Sequence, residues 1–167
     1  MKDYKILIYG YGNPGRQDDG LGNALVEVME DWAKDQELKN LYFDSNYQLN
    51  IEDAANITGK DLVIFADAST EDIENFVFTP VDDSSRVAFT THAATPGYVV
   101  KLCRDLYKKT PAAYLLHIKG YEWEFSEGIS DKARKNLDAA VKELKAILED
   151  PESLIDSFNS KYQAKNN

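Results

Sequence analysis

Short apolar runs that alternate with amphipathic helical segments constrain the fold of this chain more than any other feature of its sequence. Residues 5–10 (KILIYG) and 61–67 (DLVIFAD) are almost continuously apolar, which is typical of parallel strands buried on both faces. Residues 22–32 instead repeat their apolar side chains at helical spacing. This alternation predicts a three-layer α/β/α sandwich with a mostly parallel, twisted sheet of five strands.

The rest of the chain continues the same pattern. Further strands are predicted at 40–44 and 113–118, and the segments 76–79 and 86–90 are compatible with strands. Further helices are predicted at 51–57, 96–107, from 130 to a stop at Pro151, and at 153–162. One of the two strands at 76–79 and 86–90 is expected to be an antiparallel edge strand. No repeat or second hydrophobic unit is visible, so we expect a single domain at 1–163 and a frayed tail at 164–167.

Composition excludes several classes of partner. The chain has 167 residues and a formal net charge of −10, which argues against binding to nucleic acid or to anionic membranes because both need a basic surface. The single cysteine, Cys103, leaves no partner for an intramolecular disulfide, and the N-terminal apolar run is too short for a signal peptide or a spanning helix. We therefore expect a cytoplasmic protein.

Polar side chains follow the predicted strands at the positions where each strand ends. Because the carboxyl ends of parallel strands meet at one edge of the sheet, we expect Asp19, Asp67 and His92 to converge there. The full set of such residues is Asn13, Asp18, Asp19, Asp44, Asp67, Thr90, Thr91, His92 and Lys119.

The segment at 10–15 (GYGNPG) matches the spacing of a dinucleotide-binding turn. Two observations argue against a nucleotide: the helical pattern begins several residues after Gly15, and Asp18 and Asp19 lie where phosphates need bare amides. Asp44 also lies further along than the acid that usually binds the ribose. The glycines are better explained by a tight turn that lets the chain leave the sheet.

A second interpretation is a receiver-like phosphorylation switch. An acidic pair after strand one, Asp67 as phosphoacceptor, a hydroxyl at Thr90 or Thr91, and Lys119 resemble the Mg²⁺ site of response-regulator receiver domains. Gly120 follows Lys119 where those domains have proline, and this interpretation gives His92 no role. It remains the main alternative from another functional class.

A third interpretation uses the histidine. Two carboxylates and one imidazole, from Asp19, Asp67 and His92, form a mixed oxygen and nitrogen site that suits nickel or zinc better than Mg²⁺ or Ca²⁺. Each residue taken alone has an ordinary structural explanation, because aspartates at strand ends often cap helices and a histidine often bonds to the backbone. The three together favour a metal-facing site.

The motifs along the chain resemble those of the [NiFe]-hydrogenase maturation endopeptidases. The resemblance spans nearly the whole chain and rests on Gly12-Asn13, Asp18-Asp19-Gly20-Leu21-Gly22, Val63-Ile64-Phe65-Ala66-Asp67-Ala68, Thr91-His92 and Pro96. It implies a protease that removes the C-terminal peptide of a hydrogenase large-subunit precursor after nickel insertion. The nickel is carried by that precursor, and no organic cofactor is implied.

The resemblance also assigns roles to individual residues. Asp19, Asp67 and His92 match the family's metal-contacting positions, and Asp19 or its neighbour Asp18 would act as the base toward water. The resemblance thus implies a hydrolase similar to the aspartic type, in which recognition of the precursor depends on nickel. A non-catalytic metal-sensing chaperone stays open as a further possibility.

Two segments resemble the subgroup that serves cytoplasmic, NAD-linked or bidirectional hydrogenases, namely 47–52 (YQLNIE) and 118–124 (IKGYEWE). The chain departs from many members in having Asp19 in place of glutamate and residues 44–48 (DSNYQ) in place of a glycine-rich loop. We expect Cys103 to be structural, since it falls on the apolar face of the helix at 96–107, and His117 likewise, since it alternates with strand residues.

Overall fold

The computed structural model describes residues 3–83, 94–108 and 110–166, with the backbone alone for 162–166. Within these ranges the strands are β1 (Ile6–Tyr11), β2 (Leu41–Asn46), β3 (Leu62–Ser69), β4 (Phe76–Pro80) and β5 (Ala112–Lys119). The helices are α1 (Leu21–Asp35), α2 (Asp53–Ile57), α3 (Pro96–Tyr107), α4 (Asp131–Ile147) and α5 (Pro151–Asn166), and a 3₁₀ turn (Pro14–Gly20) joins β1 to α1.

The five strands form one sheet in the order β2-β1-β3-β5-β4. Strands β1, β2, β3 and β5 are parallel, and β4 pairs antiparallel with β5 at the edge. Tyr9 pairs with Asp44 on one side and with Phe65 on the other, while Asp67 pairs with His117. This register brings the carboxyl ends of the four parallel strands to the same edge of the sheet.

Both faces of the sheet are covered, which explains why its central strands lack polar alternation. One face packs Ile8 and Ile64 under side chains of α1 and α4, and the other packs Tyr9 and Phe65 under α2 and α3. Each fully buried aliphatic or aromatic side chain of this kind contributes about 1.5–3 kcal/mol through removal of its surface from water. The three-layer sandwich and its mostly parallel five-stranded sheet are thus confirmed.

The helices next to the site edge begin with side-chain caps. The Thr95 hydroxyl accepts a hydrogen bond of 3.1 Å from the backbone N–H of Tyr98, with Pro96 in the first turn of α3. The Ser130 hydroxyl accepts one of 3.3 Å from Ala133 at the start of α4. Such caps satisfy backbone donors that the first helical turn leaves unpaired.

Some boundaries differ from those that the sequence indicates. Strand β4 is the antiparallel edge strand at 76–80, whereas the strand predicted at 86–90 lies outside the described residues. Helix α4 ends at Ile147, and Pro151 begins α5, which extends to Asn166 through most of the expected tail. None of the helices in the described ranges is long and apolar enough to cross a membrane.

Candidate functional site

Asp19 lies in the 3₁₀ turn that follows β1. The turn begins at Asn13, whose side-chain oxygen accepts a hydrogen bond of 2.9 Å from the backbone N–H of Gly15. The backbone N–H of Asn13 in turn donates to one carboxylate oxygen of Asp19 at 3.1 Å. The half-buried Asp19 side chain is therefore held at the carboxyl end of β1.

Glycines allow the turn and helix α1 to approach the sheet at backbone distance. Gly12 has a φ of +149°, and a Cβ there would lie 2.0 Å from the carbonyl oxygen of Asp19. A Cβ on Gly22 would lie 2.3 Å from the carbonyl oxygen of Ala66 in β3, and one on Gly10 would lie 2.1 Å from that of Gly22. The space on the Cβ side of these glycines is therefore filled by the chain's own backbone.

Asp67 reaches the same edge from β3. Side chains alternate along a strand, so Asp67 lies on the face of Phe65, which also carries Tyr11. Burial raises the pKa of Asp67 to about 7, and the negative charge of Asp19 acts in the same direction. Hydrogen bonds from the Ala68 N–H and the Tyr11 hydroxyl partly oppose that rise. The structure thus brings Asp19 and Asp67 within electrostatic contact, as the sequence predicts.

The third predicted residue, His92, lies outside the described residues. His117 pairs in register with Asp67, and burial lowers the pKa of His117, which favours a neutral imidazole. In the ranges that the structure describes, no three histidine, cysteine or acidic side chains lie close enough together to hold a metal ion. Among the described residues, His117 thus does not join Asp19 and Asp67 in such a group.

The Asp18 side chain has surroundings different from those of the adjacent Asp19. It is fully buried, and its carboxylate accepts four hydrogen bonds: from the N–H groups of Tyr121 (2.7 Å), Glu122 (3.0 Å) and Ser130 (2.7 Å), and from the Ser130 hydroxyl (2.8 Å). Burial alone raises the pKa of Asp18, but these hydrogen bonds outweigh it and hold the pKa below its ordinary value. Asp18 attaches the turn to the segment between β5 and α4.

The strand order of the described sheet disfavours both the receiver-like and the dinucleotide-binding interpretations. Receiver and other flavodoxin-like domains have the strand order 2-1-3-4-5, whereas here the antiparallel β4 occupies the edge and β5 lies between it and β3. Asp18 and Asp19 do not act as a pair, and the Lys119 ammonium lies 3.5 Å from the exposed carboxylate of Asp72. The order also differs from the 3-2-1-4-5-6 order of dinucleotide-binding folds.

Comparison with known proteins identifies the fold. No protein-family model and no curated protein matches the chain. Similar solved structures are the hydrogenase maturating endopeptidase HybD from E. coli (TM-score 0.66, 16% identity) and the [NiFe] hydrogenase maturation protease HycI from Thermococcus kodakarensis KOD1 (TM-score 0.69, 19% identity). Each comparison covers 87% of this chain and 93% of the other. The chain has the fold of the hydrogenase maturation endopeptidases. At these identities the likeness establishes the fold alone.

In this endopeptidase fold, the turn that carries Asp19 is also joined to the segment after β5 through Gln17. The Gln17 N–H donates to the carbonyl of Ser126 at 2.8 Å, and its side-chain oxygen accepts from the Glu124 N–H at 2.9 Å. These bonds hold Gln17 at a φ of +49°, which non-glycine residues rarely adopt. Sequence reasoning did not find this connection, because its partners are separated by more than 100 residues.

A buried polar network positions the loop after β2 in the same fold. Asp53 accepts hydrogen bonds from the Tyr9 hydroxyl (2.9 Å), the Asn50 N–H (2.9 Å) and the Asn56 amide (2.8 Å). The Asn46 amide donates to the Tyr9 hydroxyl at 3.2 Å. The tyrosine within an otherwise apolar strand was the available signal in the sequence, since a buried phenol normally requires a polar partner.

Proposed function

We propose that this protein is an endopeptidase that removes a C-terminal extension from the large-subunit precursor of a [NiFe] hydrogenase after nickel insertion. The observation that carries the proposal is the approach of Asp19, from the turn after β1, to Asp67, from β3, at one sheet edge. The HybD and HycI structures, which share this fold, are named as a hydrogenase maturating endopeptidase and a hydrogenase maturation protease. The sequence motifs quoted above support the same assignment.

In this proposal the precursor's nickel is the element that the enzyme recognises, and Asp19, Asp67 and His92 contact it. Asp67, whose pKa burial and the negative charge of Asp19 raise to about 7, lies beside a second carboxylate that repels its ionised form. A divalent cation presented by the substrate relieves this repulsion and favours the ionised form of Asp67. The enzyme would therefore bind a precursor that contains nickel in preference to one that lacks it.

Asp19 is the carboxylate that we propose as the base. Asp18 has both oxygens engaged in the interior, whereas Asp19 accepts one hydrogen bond, from Asn13, among the described residues. In the proposed step Asp19 takes a proton from water, the water oxygen bonds to the scissile carbonyl carbon, and the C–N bond breaks as the amine accepts a proton. Docking through nickel orients that peptide bond beside the carboxylate.

We further propose that the substrate is a cytoplasmic, NAD-linked or bidirectional hydrogenase. This assignment rests on the resemblance of residues 47–52 and 118–124 to that subgroup. The departure from a glycine-rich loop at 44–48 marks the segment in which precursor specificity would differ. The enzyme would act in the same compartment as its substrate, the cytoplasm.

The proposal is tested by incubating the purified protein with its hydrogenase precursor, in nickel-loaded and nickel-free forms. Release of the C-terminal peptide is followed by mass spectrometry. We expect release from the loaded precursor alone. Asp67→Asn, which keeps the shape of the side chain but removes its charge, should reduce the rate by about 100-fold or more, as expected when a group that orients the substrate is lost.

Asp72→Asn is the matched control, because this aspartate follows β3 and is fully exposed. It should cleave at the wild-type rate. Equal cleavage of nickel-free and nickel-loaded precursor would overturn the role of nickel. Absence of cleavage with a verified, loaded precursor would overturn the endopeptidase assignment and favour a metal-sensing chaperone.

A further inference from the structure

The segment at 121–127 (YEWEFSE), here called the 121–127 loop, presents aromatic side chains to solvent beside the candidate site. Phe125 is 85% exposed and Tyr121 is 40% exposed. A phenylalanine that lies almost fully in water forgoes the free energy of its burial, which contact with a partner would recover. Glutamates at 122, 124 and 127 alternate with or follow the aromatic residues and are also exposed.

This loop is joined to the turn that carries Asp19. The Arg16 guanidinium donates to the carbonyl of Trp123 at 3.2 Å and lies 5.3 Å from the centre of the Phe125 ring. Gln17 and Asp18 bind the backbone of residues 121, 122, 124 and 126. Three consecutive residues that precede Asp19 therefore fix the loop, so Phe125 has a defined position relative to the candidate base. Such a fixed surface binds a partner with little further loss of entropy.

The chemistry of the loop restricts what it would bind. Glu122, Glu124 and Glu127 form no ion pair with the residues that the structure describes, and the whole chain carries a net charge of −10. A partner with lysine or arginine side chains is complementary to these carboxylates. The loop is exposed along most of its length, which suits an extended polypeptide better than a small molecule, since small ligands need concave sites.

We propose that the 121–127 loop is a docking surface for a segment of the precursor that carries an apolar side chain flanked by basic residues. The inference rests on the proposed function and specifies how that substrate is held. The apolar side chain packs on Phe125, the basic side chains pair with Glu122 and Glu124, and the connection through Arg16–Asp18 places the bound segment near Asp19.

The contribution of Phe125 is measured as the affinity for the nickel-loaded precursor, by calorimetry or surface plasmon resonance. Phe125→Ala should weaken binding about tenfold, the loss typical of an aromatic residue at the centre of an interface, and should raise KM by the same factor. Leu106→Ala is the control, since this leucine is 62% exposed on α3, near the opposite end of that helix from the site edge. Wild-type affinity in Phe125→Ala would overturn the proposal.

The contribution of charge is measured with the double variant Glu122→Gln/Glu124→Gln. Its affinity should fall about three- to tenfold at low ionic strength, and the difference from wild type should shrink at about 500 mM salt, where exposed charges are screened. Glu143→Gln/Glu149→Gln removes the same charge from two exposed positions, one on α4 and one just after it, and serves as the control. Equal losses in the two double variants would show that net charge, and not this loop, attracts the precursor.

A synthetic probe separates failure of this inference from failure of the proposed function. A fluorescein-labelled peptide of alternating lysine and leucine is titrated with the full chain and followed by anisotropy, with a lysine–serine peptide as control. If wild type cleaves the precursor but neither substrate nor peptide binding depends on Phe125, the docking surface is wrong and the endopeptidase stands. If wild type does not cleave, the docking surface is still supported when wild type binds the leucine peptide and Phe125→Ala weakens that binding. If wild type does not bind the leucine peptide, or Phe125→Ala does not weaken the binding, the docking surface is wrong.

Discussion

At the scale of single residues, two adjacent aspartates have different environments. Asp18 is buried under four hydrogen bonds, whereas Asp19 lies half-buried at the sheet edge beside Asp67. The sequence predicts either one as the base, because a sequence motif does not distinguish two adjacent carboxylates. What separates them is the non-helical backbone at Arg16 and Gln17, which redirects the turn and depends on contacts with the distant 121–127 loop.

Replacement of Asp18 tests its structural role. Asp18→Asn should lower the free energy of unfolding by about 2–4 kcal/mol at pH 7, because an amide nitrogen would face buried N–H donors that now bind a carboxylate. Because folding lowers the pKa of Asp18, its ionised carboxylate stabilises the folded state at pH values above the unfolded-state pKa of about 3.9. This stabilisation is lost as the pH falls below that value and through the lower pKa of the folded state. The gap between wild type and variant should therefore narrow below about pH 4.

Urea unfolding between pH 7 and pH 3 measures this gap. Asp19→Asn is the control, since Asp19 accepts a single hydrogen bond from the described residues, and its cost should stay under about 1 kcal/mol. Similar losses in the two variants would mean that Asp18 does not anchor the turn.

At the scale of elements, the glycines around the first turn explain how α1 and the 3₁₀ turn lie so close to β1 and β3. The sequence correctly assigned them to a tight turn and not to a phosphate site. It did not identify which glycines are indispensable, because that depends on backbone atoms of other elements. Gly22 packs on the carbonyl of Ala66, whereas the nearest atom to a Cβ on Gly15 is the Asn13 side-chain oxygen at 3.1 Å.

A pair of substitutions distinguishes these environments. Gly22→Ala should cost about 3 kcal/mol, since its Cβ would displace α1 from β3 backbone that cannot move aside. Gly15→Ala should cost less than about 1 kcal/mol, because the Asn13 side chain can shift. Thermal unfolding followed by circular dichroism measures both. A dinucleotide-type turn predicts the opposite ranking, since its third glycine packs against the strand.

At the scale of the whole molecule, local pattern was sufficient for the layers of the sandwich but not for the order of its strands. Continuous apolar runs at β1 and β3 predict burial on both faces, and the structure confirms it. The position of β5 between β3 and β4 depends on long-range pairing, which no local periodicity encodes. The approach of Asp19 to Asp67 was predictable because parallel strands end at a common edge; the attachment of the 121–127 loop was not.

The electrostatics of the free protein give a last prediction, at the level of its overall stability. Asp67 has a pKa of about 7 when folded, against about 3.9 when unfolded, so between these values the folded state retains a proton that the unfolded state has released. The stabilisation that the protonated Asp67 side chain provides is therefore fully present below about pH 4 and is lost as the pH rises through 7. Asp67→Asn, which cannot ionise, should gain stability relative to wild type over this interval, by about 1–3 kcal/mol at pH 8.

Denaturant unfolding of both proteins at pH 5 and pH 8 measures this change, with Asp72→Asn, whose aspartate is fully exposed, as the control. The proposed function gives the result a further meaning. Two acids held close together lower the stability of the free protein, and a cation from the substrate would offset their repulsion. Asp67→Asn should then stabilise the free enzyme while slowing nickel-dependent cleavage by about 100-fold or more. A variant that is less stable than wild type at pH 8 would show that the Asp67 charge is already compensated within the free chain.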